Sequence, residues 1–166
     1  YEISNYAKPG YECRHNIGYW TRENYLGLGL GAASLVDNVR YSNTRELDEY
    51  TAICHDLTIL PPEAFAPEDG MAAPERNWFG SNLHTEASVV SRKSQMEEFM
   101  FLGLRMTDGI ARDEFEHNFG MPIEAAYVQV LPELQAQGLI EKREGRIYLT
   151  DRGMDVANYV MAQFLL

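Results

Sequence analysis

Between residues 61 and 90 the chain loses every regular period. Pro61, Pro62, Pro67, Gly70, Pro74 and Gly80 punctuate this stretch, and at that density proline and glycine stop a helix or strand from propagating. The stretch reads as a linker or a surface excursion, with Trp78 and Phe79 placed to pin it to a neighbour. It separates a first region, 1–60, from a compact second unit, 91–166. With 166 residues of which 45% are hydrophobic, the apolar material suffices for one ordinary domain or two small ones.

In the first region Tyr1 to Tyr6 alternates as a short strand would, and ends at the turn signal Lys8-Pro9-Gly10. Residues 13–21 suit a short helix. Leu26 to Val36 predicts a strand with Gly27, Gly29 and Gly31 on one face and Leu26, Leu28 and Leu30 on the other. A second strand over Val39 to Asn43 pairs with it after a turn at Asp37-Asn38. Thr44 is placed to cap a helix running to about Ile53, with Leu47, Tyr50 and Cys54 on its apolar face.

The second unit is more regular. Ser91 is placed to cap a helix whose Met96, Phe99, Met100 and Gly103 share a face. Ile110 to Phe119 predicts a second helix, closed by Gly120. A third opens at Pro122, buries Ile123, Tyr127, Val130 or Leu131, and Leu134, and stops at Gly138. Pro132 lies inside that pattern and should kink or split it. Leu139 to Lys142 and Arg146 to Leu149 form a hairpin about Glu144-Gly145, and Thr150 caps a final helix burying Met154, Ala157, Val160 or Met161, and Phe164. The expected fold class is α+β, ending in a winged-helix-like domain.

The charge balance narrows the partners. Fourteen Lys plus Arg against 25 Asp plus Glu give −11, a surface that repels phosphate polymers and anionic membranes. A DNA-reading winged helix needs Lys and Arg for phosphate contacts. Its candidate recognition helix, Pro122 to Gln137, carries Glu124 and Glu133 and no base. Lys142, Arg143 and Arg146 then read as a solvated hairpin edge, and no nucleic-acid partner is expected. No apolar run approaches the ~20 residues of a transmembrane helix, and the first residues lack the pattern of a signal peptide. Cys13 and Cys54 cannot make a disulfide framework, which points to a reducing, cytoplasmic setting. Without an initiator Met, and opening in a strand-like run, the chain is expected to be a fragment.

The segment richest in chemistry is His15-Asn16-Ile17-Gly18-Tyr19-Trp20. A neutral imidazole can ligate a metal or donate a proton. On a helix Tyr19 shares the face of His15 one turn later, and the Tyr19 and Trp20 rings suit the covering of a flat macrocycle. Histidine beside aromatic walls is one way to hold heme iron. Cys13, two residues earlier, can add a thiolate. Equally, a histidine among aromatics serves as a hydrogen-bonded packing residue, and the residues alone leave both readings open.

Three blocks carry a family resemblance: Tyr-Glu-Ile-Ser-Asn-Tyr-Ala-Lys-Pro-Gly from Tyr1, Cys-Arg-His-Asn-Ile-Gly-Tyr-Trp from Cys13, and Tyr-Leu-Gly-Leu-Gly-Leu-Gly-Ala-Ala-Ser from Tyr25. Together they resemble the stretch following the catalytic part of HemW-type heme chaperones. These are relatives of the oxygen-independent coproporphyrinogen III oxidases in the HemN-like radical SAM family. Glu97 to Arg105, Gly138-Leu139-Ile140 and Leu149 to Gly153 resemble landmarks of the HemN C-terminal domain; only 61–90 is unmatched. The family's His-Asn-x-x-Tyr-Trp motif, associated with heme, falls on His15, Asn16, Tyr19 and Trp20, which implies heme binding with His15 on the iron. The resemblance further implies that 1–60 ends the radical SAM core, as part of a partial barrel or sheet, and that 91–166 is the HemN C-terminal domain. Where many relatives carry histidine this chain has Ala33, so a role of that histidine is not carried over.

Relatives bind an iron–sulfur cluster through Cys-x-x-x-Cys-x-x-Cys and use it to cleave S-adenosylmethionine. Cys13 and Cys54 cannot supply three such thiolates. The cluster, the cofactor and radical chemistry are expected in an N-terminal radical SAM domain, leaving this chain catalytically silent. Gly27-x-Gly29-x-Gly31 has the wrong spacing for a dinucleotide fingerprint and reads as close backbone packing. The function implied is heme trafficking to respiratory enzymes. The alternatives are the C-terminal domain of a coproporphyrinogen III oxidase acting in porphyrin biosynthesis, and a non-catalytic docking module.

Overall fold

The computed structural model describes residues 1–56 and 83–166. These fall into two compact units, one formed by Tyr1–Glu23 with Arg92–Leu166 and the other by Asn24–Ser91. Compactness therefore cuts across the region 1–60, because its first residues pack with the C-terminal helices. Helices and antiparallel sheets occur in both halves of the chain, and the fold is α+β.

The larger unit begins with a tight turn rather than the expected strand. Glu2 bridges Asn5 and Met106 through its backbone, but its side chain is buried and accepts from Ser4 N at 3.0 Å and Ser4 Oγ at 2.9 Å. A carboxylate that bends the backbone onto itself defeats the alternating pattern. Helix α1, Arg14–Trp20, follows where a short helix is expected. After the second unit come α3, Arg92–Gly103, the short strand β4, Ile110–Ala111, and α4, Arg112–Phe119. Ile110 and Ala111 thus belong to a sheet, not to the helix predicted over them. Gly120 ends α4 at φ 62°, in the left-handed region that a Cβ disfavours.

The predicted third helix is split, as α5, Ile123–Ala126, and α6, Val130–Ala136. The break comes before Pro132, which sits in the first turn of α6, where its missing N–H costs least. The hairpin is as expected: β5, Ile140–Arg143, pairs with β6, Arg146–Leu149, in register Ile140 to Leu149. Glu144 at φ 52° and Gly145 at φ 76° make its turn. β4 adds to the other edge of β6, giving the order β4-β6-β5. The last helix also divides, into α7, Asp151–Asp155, capped by Thr150 Oγ1 on Gly153 N at 3.0 Å, and α8, Ala157–Ala162. Met100, Phe115, Ile123, Ile147, Val160 and Phe164 are fully buried at the centre of this unit.

In the second unit, β1, Ala33–Val36, and β2, Val39–Asn43, pair about Asp37-Asn38, both in the left-handed region. The strand predicted over Leu26 to Val36 begins only at Ala33. Before it the backbone turns irregularly, with Gly29 at φ 103° and Gly31 at φ 66°, and Leu26, Leu28 and Leu30 are exposed. Asn43 gathers this loop, donating from Nδ2 to Gly27 O at 3.2 Å and Gly29 O at 2.7 Å. Helix α2, Leu47–Asp56, starts later than a Thr44 cap would require. Thr44 Oγ1 instead accepts from Glu46 N at 3.2 Å, ahead of the helix, and Leu47 and Cys54 are exposed. Strand β3, His84–Val89, pairs with β2, so the end of the stretch expected as a linker is sheet. Trp78 and Phe79 lie outside the described residues.

Candidate functional site

Seven residues are too few for a helix to persist by itself, so α1 depends on its ends and its seat. Cys13 at its start is extended and offers no side-chain cap. The C-terminal end is better tied. Glu23 N donates to Gly18 O at 2.9 Å and Arg22 N to Tyr19 O at 3.3 Å, with Arg22 in the left-handed conformation at φ 58°. This is a Schellman closure with arginine at the position glycine usually takes. The side chain explains the choice: Arg22 Nε lies 2.8 Å from Glu98 Oε2 on α3, each side chain about a tenth exposed.

The four residues singled out by sequence divide between two faces of α1. His15 is exposed, and so is Tyr19 at 38%. Their rings meet edge to face, with centroids 4.8 Å apart and planes at 73°. Among the described residues, neither nitrogen of His15 has a hydrogen-bond partner. Asn16 and Trp20 point elsewhere. Asn16 Nδ2 donates to the Tyr1 hydroxyl at 3.1 Å, and the half-buried Trp20 ring lies under the Arg105 guanidinium, 4.6 Å from its centroid. Trp20 Nε1 is buried without a partner among the described residues. The structure therefore brings His15 together with Tyr19, and does not bring Trp20 to them. Cys13 is exposed just before the helix.

Beneath α1 lies a cavity of about 250 Å³, lined by Ile17, Trp20, Phe99, Gly103, Met106 and Ile110 among others. Beside it Arg105 Nη2 sits 2.5 Å from Glu2 Oε1, and Glu2 is fully shielded from solvent. Burial works against the charge on Glu2, but hydrogen bonds from Asn5, Ser4 and Arg105 outweigh it and hold the carboxyl below its ordinary range. Sequence reasoning passed over Glu2, Arg22, Glu98 and Arg105 as anchoring residues. Their contacts join segments that are distant along the chain, and no local period marks them.

Chemically, the outer face of α1 offers one accessible imidazole, an aromatic edge and a nearby thiol. Among the described residues no group of three or more His, Cys, Asp or Glu side chains could hold a metal ion. A single imidazole suits a metal that brings its own equatorial ligands, as a porphyrin does, better than it suits a bare ion.

The HemN C-terminal domain family matches residues 90–156. Several curated relatives align over nearly the whole chain. The heme chaperone HemW of Escherichia coli strain K12 is 59% identical over 165 residues, 99% of this chain and 37% of its own length. That of Lactococcus lactis subsp. lactis is 36% identical over 166 residues, 100% of this chain and 37% of its own. The chain is related to the C-terminal portion of HemW-type proteins. The HemW of Bacillus subtilis adds 32% identity over 165 residues, and the chain spans only 38% of its length. Among solved structures, coproporphyrinogen III oxidase (HemN) from Escherichia coli, described as a radical SAM enzyme, matches with a TM-score of 0.54 at 16% identity, over 86% of this chain and 28% of that one. That likeness speaks for the fold. No helix among the described residues is long and apolar enough to cross a membrane.

Proposed function

We propose that this chain supplies the heme-receiving surface of a HemW-like protein that passes heme to heme-dependent enzymes. His15 would hold the iron and Tyr19 would flank the porphyrin, while Asn16 and Trp20 hold the helix from its other face. The observation that carries the reading is the presentation of His15: exposed, with both ring nitrogens available and an aromatic ring one turn away. Heme is the cargo here, and the relatives that align over the whole chain are named heme chaperones.

The remaining parts of the proposal follow the same relationship. Residues 1–60 close a radical SAM core built as a partial barrel, and 91–166 form its winged-helix-like C-terminal domain, with 61–90 between them. The iron–sulfur cluster and S-adenosylmethionine belong to residues outside this chain, in a cytoplasmic protein that hands heme to respiratory acceptors. The hairpin supports a role other than nucleic-acid binding. Lys142 Nζ donates to Glu124 at 3.2 Å, Arg143 stacks on Tyr148, and Arg146 donates to the carbonyls of Asp108 and Gly109.

Titration of the chain and of a His15→Ala variant with ferric heme, followed at the Soret band, tests the reading. Saturable binding that is lost in the variant is expected. Equal binding by both, or none by either, removes the heme site from this helix and leaves a docking module as the better description. Assay of the longer protein for coproporphyrinogen decarboxylation separates the chaperone from a porphyrin-biosynthetic enzyme.

A further inference from the structure

A seven-residue helix presented to a ligand must be held from behind, and the seat of α1 borders an open cleft. The cavity of about 250 Å³ lies directly beneath it, bordered by Ile17 and Trp20 from α1 itself. A side chain facing such a cleft has packing partners on one side only, so fewer dispersion contacts fix it. Apolar packing alone therefore does not determine where α1 sits. Polar contacts on either side of the cavity do.

One of these is concentrated on Arg105, which follows α3. Its guanidinium covers the Trp20 ring at 4.6 Å and reaches Glu2 Oε1 at 2.5 Å and Ser4 Oγ at 3.2 Å. Glu2 in turn is held by Asn5 Nδ2 at 2.5 Å and by both Ser4 groups. Backbone bonds lock the same corner: Ile3 N donates to Arg105 O at 3.0 Å and Thr107 N to Tyr1 O at 3.1 Å. From that corner the Tyr1 hydroxyl accepts from Asn16. Arg105 thus meets one α1 residue directly and reaches a second through the turn that it anchors. Both point away from His15 and Tyr19.

We propose that Arg105 and Glu2 form a positioning clamp that sets the orientation of α1, and through it the orientation of the His15 and Tyr19 face toward its ligand. The inference deepens the heme reading and rests on it: neither clamp residue touches the ligand, yet both govern how well His15 meets it. Residues that orient a ligating imidazole commonly account for ~10-fold or more in metal affinity, and that is the size of effect expected.

The test compares five forms of the full chain: wild type, Arg105→Met, Arg105→Lys, Glu2→Gln and Leu134→Val. Leu134 is buried in α6 and lines neither the cavity nor the clamp, so its variant reports on general loss of stability. Heme affinity is read from the Soret band, and local order from hydrogen exchange in peptides covering residues 13–22. Arg105→Met and Glu2→Gln should each bind ferric heme about tenfold more weakly and exchange faster in α1. Arg105→Lys should recover part of the affinity, because it keeps the charge beside Glu2 but not the planar stack on Trp20. Leu134→Val should lower the melting temperature without changing affinity. If Arg105→Met fails to fold, the milder Glu2→Gln decides. Wild-type affinity in the clamp variants overturns the clamp while the heme reading stands, and an equal loss in Leu134→Val overturns it as well. Absence of heme binding by wild type counts against the reading itself. Hydrogen exchange then decides the clamp alone, and unchanged exchange in α1 overturns it.

Discussion

Arg22→Gly makes opposite predictions from sequence and from structure. By helix-termination rules glycine is the better residue at this position: Arg22 adopts φ 58° in a Schellman closure, where a Cβ costs on the order of 1 kcal/mol. The structure sets against this the ion pair with Glu98, 2.8 Å long with both side chains about nine-tenths buried. Removing one partner of a buried pair costs about 3–5 kcal/mol, because the other charge loses a compensating partner away from water. The small residual exposure argues for the lower end, near 3 kcal/mol. The pair wins, and Arg22→Gly should destabilise the larger unit by about 2 kcal/mol. For a unit of roughly one hundred residues that corresponds to a fall in Tm of roughly 8–16 °C. Urea unfolding of the variants Arg22→Gly, Glu98→Leu and the double substitution would measure it. The double variant should be more stable than Arg22→Gly, since an apolar side chain in place of Glu98 has no charge to compensate. The reasoning fails if Arg22→Gly matches or exceeds wild-type stability, or if Glu98→Leu brings no recovery in its background.

Two further outcomes follow from the same coordinates. A Cβ on Gly153 would lie 1.9 Å from Leu139 O and 2.9 Å from Leu139 C; backbone cannot step aside as a side chain can, so Gly153→Ala should cost about 3 kcal/mol or more in chemical denaturation. The carboxyl of Glu2 is held below its ordinary range, so the folded state favours its charged form. That contribution is complete at neutral pH, and it declines as the pH falls below the unfolded value of 4.5 toward the lower folded one. Glu2→Gln should therefore show a flatter loss of Tm between about pH 5 and pH 3 than wild type, and parallel profiles would refute the assignment.

Elements governed by local signals were legible in the sequence. The β5-β6 hairpin about Glu144-Gly145 and the Thr150 cap each depend on residues within a few positions of one another. Legibility failed where a distant or unusual partner took over. Tyr1 to Tyr6 alternates correctly for a strand, but the Glu2 side chain binds its own backbone neighbours and pairs with Arg105. Leu26 to Gly31 alternates too, yet the Asn43 amide claims two of its carbonyls and bends it away from the sheet. Pro132 signals a break in the third helix, but the chain breaks earlier, after Ala126, and carries the proline inside the first turn of α6.

The candidate site shows the same division on a smaller scale. A motif quoted as His-Asn-x-x-Tyr-Trp invites the assumption that all four named residues meet one ligand. Helical geometry argues otherwise: positions four apart share a face, so His15 groups with Tyr19 and Asn16 groups with Trp20. The observed contacts follow this pairing, with the first pair in solvent and the second against Tyr1 and Arg105. A short helix cannot present an imidazole outward unless its opposite face is anchored, because it lacks the length to hold its own shape. Spacing of this kind therefore carries both requirements in six residues, the group that is offered and the means of holding it still. Loss of binding on substitution of Asn16 or Trp20 would not by itself place either residue against the ligand.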